Sequence, residues 1–404
     1  MANANQPKEY DAVKGGEAPA PSGGMVLGGI EGVKKRWASG VAEQQVAAIK
    51  DAVKYGNAGL ELVIKALNQP LDEVQKAAYL VLRSRKEAEV RKALTSFNQY
   101  QFFDCIRTII GGTNIALSGD GKAIAYLRGK AIKVCNLKNE LLYSIPKYPR
   151  AKESFAISSD GETLVKAINT SSYLLEIWQE GEKQHALYGH ELEISAIAML
   201  PDGESGTETP PLVATGSHDT TIKIWNLDTG KLVFNISRSL IWGTHTSGIS
   251  CLAFTPDGKT LVSGSADSTI KLWNLRTRDK PRTLKGHTGS ILAIAIGPDG
   301  QTMVSSSNGW PKPKIKLWHL GTGELIPTFE EQSPLIGCFA FSPDGRILAG
   351  GSYNTIVLWK VKTGEVLHIL EGHESSVTCL AFSRNGHTLI SGSEDKTIKV
   401  WGVQ

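Results

Sequence analysis

The sequence lacks any long apolar run and any close pairing of cysteines. No stretch of about 18 apolar residues is present, as a membrane-spanning helix would require, and the N-terminus has no apolar core of signal-peptide length. The five cysteines are dispersed and include no Cys-x-x-Cys pair, which argues against disulfides and zinc sites. We therefore expect a cytoplasmic protein without membrane insertion, whose cysteines serve as small core side chains.

A strong excess of one charge is also missing. The chain carries 44 Lys and Arg against 40 Asp and Glu, a net charge of +4, and residues 25–100 alone account for this excess. Such a balance argues against nucleic-acid binding, which usually needs a clustered basic surface. The basic stretches at 34–36 and 83–86 keep that alternative open, although interleaved acids are more typical of a solvated helix face.

Motifs for metal and cofactor binding are absent as well. No His-Glu-x-x-His pair occurs, and the glycine-rich segment at 23–29 lacks the Lys-Ser/Thr ending of a phosphate-binding loop. We predict no metal, no cofactor and no catalytic residues. The segment at 23–29 is interpreted as a hinge before the first helix.

Two regions precede the main body of the chain. Residues 1–24 are rich in Gly, Ala and Pro without periodicity and are predicted to form a disordered tail. Residues 25–100 show apolar positions at helical spacing, as in Leu60, Val63, Ile64 and Leu67. The stretches at 72–82 and 88–94 resemble HEAT or armadillo helical repeats, with a small amphipathic bundle as the alternative.

One unit repeats through residues 101–404. Five tryptophans recur at intervals of 48, 45, 41 and 42 residues, and an Asp-Gly or Asn-Gly turn recurs beside them. Trp178 and Cys135 continue the register backwards, so there are seven units of β-branched, strand-length segments. A period of about 40–45 residues with this turn is the signature of one propeller blade per repeat. The sequence predicts a mainly β protein, a seven-bladed propeller preceded by a small α-helical domain.

These repeats resemble the WD-repeat family. Gly-His pairs precede the units, at Gly189-His190, Gly286-His287 and Gly372-His373, and Trp-Asn follows the third strand at Trp225 and Trp273. Together with the helical region, the layout is similar to bacterial, cyanobacterial-type WD-repeat proteins. The resemblance implies that the strand at about 102–110 completes the last blade and closes the ring, leaving no exposed sheet edge.

His, Ser or Thr, Asp and Trp recur at nearly constant offsets in three blades. Hydrolases use similar trios once, in an exposed site, whereas a set repeated in several blades favours a structural role. The resemblance implies tetrads in which imidazole bridges Asp and Ser or Thr, and the hydroxyl reaches Trp. We expect blades one and two, which lack the set, to be less rigid. The sets are His190, Thr215, Asp219 and Trp225; His245, Ser263, Asp267 and Trp273; and His373, Ser391, Asp395 and Trp401.

Two loops interrupt the repeat and are therefore candidates for partner binding. Residues 237–245 carry Trp242, and residues 307–315 carry Trp310, Lys312 and Lys314. Tryptophan flanked by lysine is typical of an interface anchor. The alternative is that each indole folds back over its own blade.

We therefore predict a non-catalytic scaffold that bridges protein partners, whose identity the sequence does not specify. The first alternative is a small-ligand sensor or enzyme that uses the central channel. The second is a nucleic-acid-associated protein that uses the basic helical region.

Overall fold

The computed structural model describes residues 29–111, 113–119, 121–148, 152–200, 211–237, 243–310, 312–328 and 334–404. They divide into two compact units. The first comprises the described residues up to Phe103 together with Val403–Gln404, and the second is Asp104–Gly402. The tail predicted at 1–24 lies outside the described residues.

The first unit is helical, and each helix buries one apolar face. Ile49, Val63, Val74 and Val90 of four successive helices are buried in its core. The first helix was not distinguished by the sequence pattern, because it contributes only one buried residue, Val33. The five α-helices are α1 (Gly29–Trp37), α2 (Ala42–Ala52), α3 (Gly56–Ala66), α4 (Asp72–Leu82) and α5 (Ala88–Ser96), with 3₁₀ turns at Val53–Tyr55 and Gln99–Phe102.

The second unit consists of seven four-stranded antiparallel sheets. This result confirms the predicted seven-bladed propeller preceded by helices. Blades one to three contain β2 (Thr113–Leu117), β3 (Ala123–Arg128), β4 (Ala131–Asn136) and β5 (Leu141–Pro146); β6 (Lys152–Ile157), β7 (Thr163–Asn169), β8 (Leu174–Gln179) and β9 (Glu182–Leu187); and β10 (Ile194–Met199), β11 (Leu212–Ser217), β12 (Ile222–Asn226) and β13 (Leu232–Ile236).

The remaining four blades follow the same order. Blades four and five contain β14 (Ile249–Phe254), β15 (Thr260–Ser265), β16 (Ile270–Asn274) and β17 (Arg282–Leu284); and β18 (Ile291–Ile296), β19 (Thr302–Ser307), β20 (Lys314–His319) and β21 (Glu324–Ile326). Blades six and seven contain β22 (Cys338–Phe341), β23 (Ile347–Ser352), β24 (Thr355–Lys360) and β25 (Val366–Glu371); and β26 (Val377–Phe382), β27 (Thr388–Ser393), β28 (Thr397–Gly402) and β1 (Asp104–Ile110).

The ring is closed by the first strand of the unit. Strand β1 pairs antiparallel with β28, where Ile109 lies opposite Ile398. The first strands of neighbouring blades contact each other all the way around, including β26 of blade seven with β2 of blade one. Every blade is therefore flanked by two others, and the N-terminal strand covers the edge that β28 would otherwise expose.

The core lies between the blades. The recurring tryptophans sit on third strands and pack against the apolar face of the preceding blade, as Trp273 does against Ala214 and Ile224. In blade one the same place is taken by Cys135, which packs with Ile390 and Ile398 of blade seven. One third-strand position per repeat therefore takes part in the apolar contact between neighbouring blades.

The up-and-down strand order sorts the connecting loops onto two faces. Loops between second and third strands share one face with the links from one blade to the next, and the remaining turns lie on the other face. The Asp-Gly turns belong to the second group, and Gly258, Gly300 and Gly345 adopt φ of +64° to +70°, a conformation that favours glycine. The link that carries His245 and the loop that carries Trp310 belong to the first group.

Candidate functional site

The structure brings the three predicted tetrads together. In blade four, His245 Nε2 lies 2.7 Å from Ser263 Oγ and Nδ1 lies 2.9 Å from Asp267, while Trp273 donates to Ser263 Oγ at 2.8 Å. Blades three and seven repeat this chain, with His–hydroxyl distances of 2.8 and 2.7 Å and His–Asp distances of 3.0 and 2.7 Å. The indoles of Trp225 and Trp401 donate to Thr215 and Ser391.

The direction of these hydrogen bonds shows what the sets can do. Asp267 accepts from His245 Nδ1, so Nε2 accepts from the Ser263 hydroxyl, whose oxygen accepts in turn from the Trp273 indole. Ser263, Thr215 and Ser391 have no solvent exposure. A hydroxyl that is buried and fully bonded cannot meet a substrate, so the geometry of these sets suits blade stabilisation and not nucleophilic attack.

The tetrad carboxylates are held ionised. Burial opposes ionisation, but hydrogen bonds from His245 and Thr269 outweigh it and keep the pKa of Asp267 well below its usual range. The same balance lowers the pKa of Asp395 to about 2. Burial also lowers the pKa of His245 and of His373, against the opposing effect of their aspartates. Neutral imidazole beside ionised carboxylate is therefore the stable state.

Blade five contains a further set that the sequence analysis missed. His287 Nε2 lies 2.7 Å from Ser305 Oγ, which accepts from Trp318 at 2.8 Å. In place of an aspartate, Ser307 Oγ lies 2.7 Å from His287 Nδ1. The interval of 18 residues from His287 to Ser305 equals that from His245 to Ser263 and was a usable signal.

Blade two replaces the tetrad with buried charges. Lys166 occupies the strand position that holds serine or threonine in the tetrad blades, and it lies opposite Glu176. Its Nζ is 3.3 Å from Glu176 and donates to the Pro146 carbonyl at 2.9 Å. Glu176 also accepts from Tyr148 at 2.9 Å and from the Trp178 indole at 3.0 Å. The expectation of a less rigid blade two took no account of this network.

Blades one and six fill the same position in other ways. In blade one it holds Tyr126, whose hydroxyl lies 3.6 Å from Cys135 Sγ. In blade six it holds Gly350, which leaves the ring of Trp359 packed against the backbone. The position therefore varies from blade to blade, although the fold of the blade does not.

The loop predicted to bind partners presents its tryptophan to solvent. Trp310 is 86% exposed, so the alternative of an indole folded over its own blade does not hold for it. Lys312 is exposed and Lys314 is half-buried on the same loop, and Lys285 is exposed in the link from blade four. We call Trp310, Lys312, Lys314 and Lys285 the Trp310 surface. The second predicted anchor, Trp242, lies outside the described residues.

The loop that carries Trp310 is seated against the blade-four link. Asn308 donates its backbone N–H to the Ser290 carbonyl at 3.2 Å, and Thr288 donates its hydroxyl to the Trp310 carbonyl at 3.4 Å. The backbones meet so closely that a Cβ on Gly289 would lie 2.5 Å from the Cα of Gly309. The indole is thus displayed from a fixed backbone.

Two further properties concern the described part of the chain. No group of three or more His, Cys, Asp or Glu residues within it is arranged to hold a metal ion. None of its helices has the length and apolarity needed to cross a membrane.

Comparison with known families gives one match. The profile described as WD domain, G-beta repeat matches residues 181–226, 237–274, 278–319, 323–360 and 364–402, together about half of the chain. A solved chain from a crystal structure of the mitotic checkpoint complex superimposes with a TM-score of 0.63 at 17% identity, covering 74% of this chain and 95% of that one. At that identity the likeness shows the fold alone.

Curated relatives match over shorter segments. An uncharacterised WD repeat-containing protein of Synechocystis is 31% identical over 155 residues, 38% of this chain and 41% of that protein. The Lissencephaly-1 homolog of Caenorhabditis briggsae is 31% identical over 26% of this chain and 24% of its own length. Subunit I of eukaryotic translation initiation factor 3 from Scheffersomyces stipitis is 29% identical over 29% of each. The matches thus span less than half of each relative.

Proposed function

The chain belongs to the WD domain, G-beta repeat family, and we propose that this member is a non-catalytic scaffold that bridges protein partners in a multiprotein complex. Similar chains come from the mitotic checkpoint complex and from a translation initiation factor with several subunits, both of them assemblies. Burial of every tetrad hydroxyl supports the non-catalytic part of the proposal. None of the five cysteines is in a disulfide bond, which suits a reducing compartment and supports a cytoplasmic location.

The observation that carries the proposal is the exposure of Trp310. An indole that is 86% exposed leaves a large apolar surface in water, and tryptophan is the residue type most enriched at interface hot spots. Because its loop is pinned to the neighbouring link, a partner would not have to order the backbone on binding.

The helical unit provides the second surface that a bridging scaffold needs. It is a compact unit with its own core, in which Ala48, Val74 and Leu82 are fully buried. We propose that it acts as a separate binding arm. Its similarity to HEAT or armadillo repeats stays a prediction.

The test is affinity purification of the full-length chain with quantitative mass spectrometry. We expect Trp310→Ala to deplete a defined set of co-purifying proteins by about tenfold, the loss expected of a hot-spot residue. The matched control is Leu142→Ala, which removes an apolar side chain that is 54% exposed on the outer strand of blade one. Equal recovery with both variants, or no protein above background with the wild type, would contradict the proposal.

A further inference from the structure

We infer that the Trp310 surface binds an acidic peptide segment of a partner protein, with the indole contacting an apolar residue within that segment. This inference rests on the proposed scaffold function and specifies the kind of partner that one surface accepts.

The two loops that form the surface carry basic side chains and no acidic ones. The link at 285–290 and the loop at 308–313 contain Lys285 and Lys312, and Lys314 follows directly. Neither loop contains an aspartate or glutamate. An acidic ligand that spans both loops would therefore meet three lysines and no carboxylate from either loop.

The missing tetrad aspartate adds to this imbalance. Blades three, four and seven each place an ionised aspartate in the loop between their second and third strands. In blade five the corresponding loop is longer and contributes Trp310 and Lys312, while Ser307 takes over the hydrogen bond to His287. One negative charge present in those three blades is thus replaced by a neutral hydroxyl at the base of the Trp310 surface.

The pKa of the buried His287 imidazole is affected by the lysines of this blade. Burial, together with the charges of Lys316 and Lys314, lowers the pKa of His287 to about 4. In the tetrads of blades four and seven the aspartate acts in the opposite direction on the histidine. In the described part of blade five, no carboxylate offsets these lysines at His287 in the way that Asp267 and Asp395 do at the histidines of blades four and seven.

The surroundings favour a peptide over a nucleic acid. On the same face, Glu374 is exposed in the link that leads to blade seven, and Glu394 is exposed in blade seven itself. These carboxylates would repel a polyanion that extended across the ring, whereas a short acidic segment needs only the width of one blade. Recognition of nucleic acid usually requires a longer basic track.

Fluorescence anisotropy with the full-length chain tests the inference. The probe is a labelled glutamate-rich peptide with a central leucine, and its partner is the same peptide with every glutamate replaced by glutamine. We expect the acidic peptide to bind and to weaken as salt rises, and the glutamine peptide to bind at least about tenfold more weakly. Trp310→Ala and the charge reversal Lys312→Glu should each reduce affinity for the acidic peptide by about tenfold.

The matched control is Lys362→Glu, an identical charge change at an exposed lysine on the opposite face of blade six. It should leave the affinity unchanged. Equal binding of the two peptides, or equal losses in Lys312→Glu and Lys362→Glu, would overturn the inference. Tighter, Trp310-dependent binding of a labelled oligothymidylate would also overturn it and would assign the surface to nucleic acid. If Trp310→Ala depletes co-purifying proteins while the acidic peptide does not bind, the proposed scaffold function is retained and only the inference of an acidic partner is contradicted.

Discussion

The ammonium of Lys166 and the carboxylate of Glu176 form an ion pair without solvent exposure, with Nζ 3.3 Å from Oε2. A buried charge is tolerated only when hydrogen bonds satisfy it, and here the Pro146 carbonyl, the Tyr148 hydroxyl and the Trp178 indole supply them. This network occupies the place of the tetrad in blade two and connects β7 and β8 with the end of β5 and with the link that precedes blade two.

Removing the lysine should therefore destabilise blade two strongly. Lys166→Met leaves the buried carboxylate of Glu176 without its buried cation, and breaking a buried pair in this way costs about 3–5 kcal/mol. The matched control is Lys183→Met, whose ammonium approaches the same Glu176 at 3.4 Å but is 44% exposed. An exposed partner contributes roughly 1 kcal/mol or less. Urea unfolding at neutral pH measures the loss of stability in each variant. Equal shifts of the midpoint would contradict the structural role of Lys166.

The tetrads predict a second stability effect. Ser263→Ala leaves the Nε2 of His245 and the indole N–H of Trp273 buried without their hydroxyl, which should cost about 1–3 kcal/mol. The control Ser171→Ala removes an exposed hydroxyl in blade two. Thermal unfolding followed by circular dichroism compares the two variants, and an unchanged midpoint for Ser263→Ala would show that the tetrad does not stabilise blade four.

Acidification should destabilise the propeller through its buried histidines. The pKa of His287 is about 4 in the folded protein and about 6.5 in an unfolded chain, so between these values the unfolded chain binds the extra proton. Stability present at neutral pH is therefore lost as pH falls, by about 2 kcal/mol at pH 5 from this residue alone. In the His287→Gln variant, the decrease in the free energy of unfolding between pH 7 and pH 5 should be smaller by that amount. Urea midpoints at the two pH values give the comparison, and parallel losses in both proteins would contradict the assignment.

Much of the fold was predictable because each repeat contains residues that require a particular backbone conformation or a particular orientation. The Asp-Gly turns require positive φ at one residue, and the third-strand tryptophans must face the preceding blade. Both signals recur in the sequence at the blade interval, so the blade number followed from spacing alone. The tetrads followed for the same reason, since His245, Ser263 and Asp267 lie at fixed offsets within one unit.

The features that were missed depend on contacts that spacing does not encode. Lys166 and Glu176 look like surface residues in the sequence, and only strand pairing shows that they are buried opposite each other. The loop that carries Trp310 packs through Gly309 against Gly289, which belongs to the link from blade four. Local sequence patterns carry no information on either contact.

The seating of the Trp310 loop yields a further prediction. Gly289→Ala places a Cβ 2.5 Å from the Cα of Gly309, so the loop must shift while the blade strands stay in place. We expect this variant to retain the wild-type circular dichroism spectrum and to lose partner binding partially. Binding of the acidic peptide that equals that of the wild type would show that the loop position does not matter.

The most direct test of the scaffold is photo-crosslinking in cells from position 310. A photoreactive phenylalanine placed there, in the full-length chain, should form discrete adducts with one or a few proteins. The same group at position 142, on the outer strand of blade one, should not form these adducts. Identical adduct patterns at the two positions, or no protein adduct at position 310, would contradict the account.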